Sequence, residues 1–335
     1  MRIAWLVYGP VTQPTGGYVY DRLIIEGLRA HGDRVDVVDP AIASSISRGD
    51  LEGADVVVGD ALCAPELGGL FEGARRGQAR VLLVHHLPSW EVERTDREAM
   101  RGLELRALGA CDGVVATSQA TRARMLVESA PPPIDVVVPG ADRLPRLTRS
   151  PGGSDVELLF VGSLVSRKGV ARLLDALEQV PEPRPALTLV GDPGREPEYG
   201  RAVMARVAGS PGLRDRVSFA GVVGEGVLAQ RMARADALVL PSSLEGYGMV
   251  LTEALYAGLP VLASRAAAIA AGVAHLAAAR VFDEDDGLLL LLRRFAVDRA
   301  LRASMSRAAE EPSLPRWDDA ATAFRQVLLR VQRRT

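Results

Sequence analysis

Residues 237–263 read ALVLPSSLEGYGMVLTEALYAGLPVLA. The apolar run Ala237 to Leu240 is followed by a loop of Pro, Ser and Gly, a helical stretch that stops at Gly258, and a second apolar run from Pro260 to Ala263. Gly258 with Pro260 just beyond it is a helix stop signal. Strand, helix and strand in so short a stretch make a β-α-β unit, whose strands run parallel. Neither run has a polar face, as expected of strands buried on both sides.

The alternation continues outward in both directions. In the same half of the chain, strands are expected at Glu157 to Val161, Leu187 to Val190 and Val217 to Phe219. In the other half they are expected at Ile3 to Tyr8, Val35 to Val38, Val56 to Gly59, Val81 to Val84, Gly113 to Ala116 and Asp135 to Val138. A first helix from about Tyr18 places Val19, Leu23, Gly27 and Ala30 on one face, and Gly32 suits its C-cap. Between Pro139 and Asp155 the chain turns to Pro, Gly, Arg and Ser without apolar period, which is a linker signature. The fold class is therefore α/β, with two Rossmann-like doubly wound domains: 1–145, a linker at 146–155, and 156–315. A C-terminal helix follows at 316–335, whose stripe of Ala320, Phe324, Val327, Leu328 and Val331 can pack back on the first domain.

Size and charge agree with this division. A chain of 335 residues exceeds what one core usually serves, and 48% hydrophobic residues supply two. A net charge of -2 gives no electrostatic case for nucleic acid or an anionic membrane. Cys63 and Cys111 have neither disulfide-framework nor zinc spacing, so a reducing, cytoplasmic setting is expected. The apolar run at the N-terminus is too short for a signal peptide, and Leu288 to Leu292 is cut off by Arg293 and Arg294, so no integral membrane contact is expected.

Ligands of parallel α/β sheets bind at the carboxyl ends of strands. After the strand 237–240, Gly246 and Gly248 flank Tyr247 and allow close backbone approach, and the N–H groups of Met249 and Val250 open a helix where a phosphate is favoured. Glu245 precedes that anion site and Glu253 follows it, placed to accept hydrogen bonds from hydroxyls at the two ends of a nucleotide sugar. After the strand 157–161, Gly162-Ser163-Leu-Val-Ser-Arg167-Lys168-Gly169 brings two cations to another helix start. Gly16 and Gly17 follow the first strand without the G-x-G-x-x-G spacing of a dinucleotide site. His85 and His86 end the strand 81–84, where an imidazole can reach a sugar or acceptor hydroxyl. Asp283-Glu-Asp-Asp286 has the D-x-D spacing of some metal-dependent sugar transferases, but it precedes Gly287 and a leucine-rich helix and is expected to be a solvated helix start.

Glu245-x7-Glu253 in this setting resembles the signature of the family-4 retaining glycosyltransferases, glycosyltransferase group 1, which have the GT-B fold. Val217-Ser-Phe-Ala-Gly221, Leu228 to Arg234, Ala235-Asp-Ala-Leu-Val-Leu-Pro-Ser242 and Ala257-Gly-Leu-Pro-Val-Leu-Ala-Ser264 keep that family's order. The resemblance implies two domains that face across a cleft and close over the donor, the first binding the acceptor and the second the nucleotide sugar. It implies that Glu245 contacts the donor sugar, Glu253 the ribose hydroxyls, and Arg167 with Lys168 the diphosphate. The Gly16-Gly17 loop then faces donor phosphate or acceptor, and one of the two histidines, His85 in first place, lies near the transferred sugar. No metal and no cofactor are implied, since the nucleotide sugar, most commonly a UDP-sugar, is a substrate. The acceptor, whether small molecule, glycan or lipid, is left open, as is the oligomeric state. The chain departs from the family after Ser264, where Arg265-Ala-Ala-Ala-Ile269 stands in place of a Gly-Gly-x-Pro-Glu segment. A nucleotide sugar epimerase and a catalytically silent sugar-nucleotide-binding protein are the alternatives.

Overall fold

The computed structural model describes residues 1–42, 51, 53–150, 155–310 and 313–335. It divides into unit 1, Met1–Gly140 with Pro315–Thr335, and unit 2, Ala141–Leu314. Residues 151–154 of the expected linker lie outside the described residues.

Runs of Val, Ile and Leu without a polar face become the central strands of unit 1. Its sheet has six strands, β1 (Arg2–Leu6), β2 (Arg34–Val38), β3 (Val56–Asp60), β4 (Ala79–Val84), β5 (Gly113–Ala116) and β6 (Ile134–Val136), in the order β2-β1-β3-β4-β5-β6. All pairs are parallel. Every residue of β3 and β5 is buried, whereas edge strand β2 exposes Arg34, Asp36 and Val37. The helices are α1 (Gly16–Ala30), α2 (Ala64–Glu72), α3 (Arg97–Ala110) and α4 (Gln119–Glu128).

Helix α1 corrects one expectation. Its buried residues are Tyr18, Tyr20, Asp21, Ile24, Ile25 and Leu28, so the face toward the core is the one carrying two tyrosines and a carboxylate. The expected face of Val19, Leu23, Gly27 and Ala30 is only half-buried or exposed. Gly27 does have a partner: a Cβ there would lie 2.3 Å from Ala321 Cβ on the C-terminal helix, Trp317–Gln332. The helix ends in a Schellman arrangement, with Gly32 at φ +83°, its N–H on Arg29 O at 2.9 Å and the Asp33 N–H on Leu28 O at 3.1 Å.

The C-terminal helix belongs to unit 1. Phe324 stacks at 5.4 Å on Trp5 of β1, and Trp317 meets the Tyr20 ring at 5.8 Å. Arg325 Nε and the Met1 amine both hold buried Asp33, at 2.7 and 2.8 Å.

Unit 2 repeats the architecture with β7 (Glu157–Val161), β8 (Ala186–Val190), β9 (Val217–Gly221), β10 (Ala237–Leu240), β11 (Val261–Ser264) and β12 (Ala279–Phe282), again all parallel. Its order is β12-β11-β10-β7-β8-β9, the Rossmann winding about β7. The helices are α5 (Val170–Glu178), α6 (Pro197–Gly209), α7 (Pro211–Arg214), α8 (Glu225–Arg234), α9 (Met249–Tyr256), α10 (Arg265–Ala270), α11 (Asp285–Val297) and α12 (Arg299–Ala308). The stretch 141–150 is packed on this unit: Arg149 donates to Met232 O and Ala235 O, and Ser150 N–H to Ala233 O. Arg146 and Arg149 found carbonyl partners there, which composition does not reveal. Among the described residues no helix is long and apolar enough to cross a membrane.

Candidate functional site

The strand order fixes where a site belongs. In unit 2 the winding reverses between β7 and β10, and a parallel sheet opens a crevice beyond the carboxyl ends of the two strands at such a point. The loops that leave those strands hold Ser163, Arg167 and Lys168 on one side and Glu245, Gly246, Tyr247 and Gly248 on the other.

The two loops are joined. Ser243 N–H donates to Arg167 O at 2.8 Å, Arg167 Nη1 to Leu244 O at 3.2 Å, and Lys168 Nζ to Glu245 Oε1 at 2.6 Å. Both loops enter their helices through left-handed glycines, Gly169 at φ +70° and Gly248 at φ +87°. At Gly169 a Cβ would also come within 2.4 Å of Pro241 O, so only glycine lets the loops meet. Ser163 lies where the first loop leaves β7, and its carbonyl accepts from Val165 N–H at 2.9 Å. Gly248 caps α9, leaving the Met249 and Val250 N–H groups at the helix start, and Tyr247 is buried beside it.

Charge follows from this packing. The Glu245 and Lys168 side chains are 6% and 14% exposed. Burial would raise Glu245, but the charges of Lys168 and Arg167 hold it below the usual carboxylate range. Burial and the neighbouring Arg167 pull Lys168 below its ordinary value against the attraction of Glu245.

Glu253, one turn into α9, is almost fully buried, and Arg143 holds both its oxygens: Nε to Oε1 at 2.7 Å and Nη2 to Oε2 at 3.0 Å. A third nitrogen of Arg143 reaches Glu225 Oε1 at 3.0 Å. Burial would lower Arg143, but Glu253 and Glu225 together raise it. The sequence gives Arg143 no mark, because it stands in the segment read as leading into the linker.

Two further segments of unit 2 bear on the expectations. After Ser264 the alanines form α10, capped by Ser264 Oγ accepting from Ala267 N–H at 3.3 Å. A run of good helix formers replaces a glycine loop, and Arg265 pairs with Asp283. Asp285 pairs with Arg172 at 2.5 Å, and Asp285 and Asp286 are exposed in the first turn of α11. The D-x-D spacing therefore makes a charged helix start.

Gly16, Gly17 and His85 are placed in unit 1. There the winding reverses between β1 and β3, and Gly16 and Gly17 open the helix that follows β1. His85 directly follows β4, and a Cβ on Gly17 would lie 3.2 Å from its Cδ2. His85 Nε2 is 3.1 Å from Asp21 Oδ1 and 3.9 Å from Asp60 Oδ2. Asp21, Asp60 and His85 are the one group among the described residues whose ligand-type atoms gather within 4.8 Å. His86 instead turns to Glu91, Nε2 to Oε1 at 2.9 Å. Trp90 is buried, with Arg124 stacked 4.3 Å over its ring.

Residues 150–311 match the family Glycosyl transferases group 1. A D-inositol 3-phosphate glycosyltransferase of Jonesia denitrificans is 32% identical over 202 residues, 57% of this chain and 46% of that protein. The match thus spans less than half of the relative's own length. Among solved structures, sucrose-phosphate synthase from Thermosynechococcus elongatus covers 100% of both chains with a TM-score of 0.87 at 20% identity. Anabaena HepE in complex with UDP and glucose gives a TM-score of 0.80 at 20% identity, over 98% of this chain and 99% of its own. At such identities the structures show the fold, which is GT-B. The match over residues 150–311 takes in both loops of the switch point and helix α9, which carries Glu253. Over residues 150–311 the chain is thus similar to the glycosyltransferases of group 1.

Proposed function

We propose that the chain transfers a glycosyl group from a nucleoside diphosphate sugar, a UDP-sugar in first place, to an acceptor with retention of anomeric configuration, and that unit 2 holds the donor. One observation carries this reading: Arg167, Lys168, Glu245 and the start of α9 converge at the β7/β10 switch point, with Glu253 one turn along the same helix. The diphosphate takes its countercharge from Arg167, Lys168 and the N–H groups of Met249 and Val250. This is charge that a metal ion supplies in other sugar transferases, and the reading calls for none. Glu253, oriented by Arg143, accepts from the ribose hydroxyls, and Glu245, oriented by Lys168, from the sugar.

Neither carboxylate is free to become a nucleophile, because each is committed to a cation. That favours a front-face transfer, in which the donor phosphate takes the acceptor proton, over a covalent glycosyl-enzyme. Unit 1 presents the acceptor, with His85 at the transferred sugar. HepE has been seen with UDP and glucose, which supports UDP as the first donor to try.

The test is incubation with UDP-, GDP-, TDP- and ADP-sugars and a panel of acceptors, with the anomeric configuration of the product read by NMR. A retained linkage supports the reading. Inversion, or isomerised free sugar formed without acceptor, would refute it.

A further inference from the structure

The transfer reading uses His85 but not the two carboxylates behind it. Asp21 is fully buried on the core face of α1, one turn after Gly17. Both its oxygens are engaged: Oδ2 accepts from Trp5 Nε1 at 3.2 Å, and Oδ1 faces His85 Nε2 at 3.1 Å. Asp60 ends β3 with its side chain 2% exposed. Its Oδ1 accepts from Leu62 N–H at 2.9 Å, but its Oδ2 is buried without a hydrogen-bond partner, 3.9 Å from the same His85 nitrogen. The Tyr20 ring closes the other side, edge-on at 5.1 Å. The backbone holds the histidine too, since the Thr121 hydroxyl donates to His85 O at 3.3 Å.

Two buried carboxylates against one neutral imidazole would leave negative charge without compensation, which a low-dielectric interior penalises heavily. No Lys or Arg reaches either of them in the described structure. The compensating positive charge then comes from a proton held on the ring. Nε2 is turned inward to Asp21, so the nitrogen left for a substrate is Nδ1, which has no partner among the described residues.

We propose that Asp21 and Asp60 are positioning residues for His85: they hold its ring as an imidazolium, with Nε2–H donated inward and Nδ1–H left as a hydrogen-bond donor toward the transferred sugar. This rests on the reading that His85 meets that sugar. His85 then fixes the orientation of the sugar by donating to one of its oxygens, and it removes no proton from the acceptor. The surrounding groups agree in sign. Burial alone would lower His85, but the Asp21 hydrogen bond and the charges of Asp60 and Asp21 raise it. Burial and the Asp21 charge raise Asp60. The other titratable neighbours, Tyr20 on α1 and Cys63 on the turn after β3, are kept neutral by burial.

The test has two arms. Nitrogen-15 NMR of the histidine rings, assigned with His85→Gln, reads the protonation of His85 in the unliganded protein and in Asp21→Asn and Asp60→Asn, each checked for folding by circular dichroism. The expected result is a doubly protonated ring at neutral pH whose midpoint falls by a unit or more in each variant. A single neutral tautomer at neutral pH, unmoved midpoints, or a stoichiometric metal ion that copurifies with the protein and is lost in Asp60→Asn would overturn the proposal. In the kinetic arm, kcat of Asp21→Asn is expected to drop about tenfold or more with little change in donor KM, and the alkaline limb of its pH profile to shift down with the NMR midpoint. Unchanged kcat and pH profile in an active enzyme would also overturn it. If no nucleotide sugar is turned over at all, the transfer reading and the sugar-facing role fall together, while the titration still decides whether the carboxylates hold His85 as an imidazolium.

Discussion

Lys168 Nζ lies 2.6 Å from Glu245 Oε1, so the cation proposed for the donor diphosphate and the carboxylate proposed for its sugar are each other's partner. The pair is largely buried, and removing one member strands the other charge. Breaking a buried pair costs about 3–5 kcal/mol, far more than an exposed one. Lys168→Met should therefore lower stability by about 3 kcal/mol in urea denaturation near neutral pH. Lys168→Met combined with Glu245→Gln should recover most of that loss and still fail to bind donor. Because the folded value of Glu245 is lowered, its stabilising share is present at neutral pH and disappears as pH falls through that value.

Arg143 grips both oxygens of Glu253, and the geometry is bidentate. A lysine cannot reproduce the fork. Arg143→Ala should cost about 3 kcal/mol by leaving Glu253 buried and unpaired. Arg143→Lys should cost less but raise donor KM several-fold, because Glu253 loses its fixed orientation. Equal donor KM in Arg143→Lys and the wild type would remove Arg143 from the donor site.

Gly169 combines a left-handed φ with a close approach to Pro241, where an added Cβ would come within 2.4 Å of its carbonyl oxygen. A side chain there carries roughly 1–2 kcal/mol of backbone strain before any clash is counted. Gly169→Ala should lower Tm and weaken donor binding together, because the loop that moves carries Arg167 and Lys168. Loss of Tm with unchanged donor affinity would show that the loop contact is structural only.

Asp60 is raised to about 7, chiefly by burial and then by the Asp21 charge. An acid whose folded value is raised binds more protons folded than unfolded between the two values, so stability falls as pH rises from about 4 to about 7. Asp60→Asn mimics the protonated form. It should match the wild type near pH 4 and have the higher Tm near pH 8, while transfer activity drops. A more stable but less active variant is what a functional strain implies.

Much of this was legible in the sequence, because parallel strands buried on both faces leave apolar runs that few other structures produce. The loop with Glu245 and Glu253 stood out for the same reason, framed by two such runs. What escaped was polarity inside the core. Asp21 and the tyrosines of α1 read as a surface, so the buried face was assigned to Val19 and Leu23 instead. Strand β12 was missed because Arg280 interrupts it. Arg143 and Glu253 lie 110 residues apart, and Asp21 and His85 lie 64 apart, so each pair exists only once the chain has folded. The alanines after Ser264 showed a departure from the family, but only the structure shows a capped helix there.

The central claim is that the β7/β10 switch point binds a nucleoside diphosphate sugar through Lys168, Glu245 and Glu253. Isothermal titration of UDP-, GDP-, TDP- and ADP-sugars into the wild type and into Glu253→Gln tests it most directly. The expected result is saturable binding of at least one donor by the wild type, weakened tenfold or more in Glu253→Gln, about 1.4 kcal/mol. Binding of none of the four, or equal affinity in the variant, would contradict it.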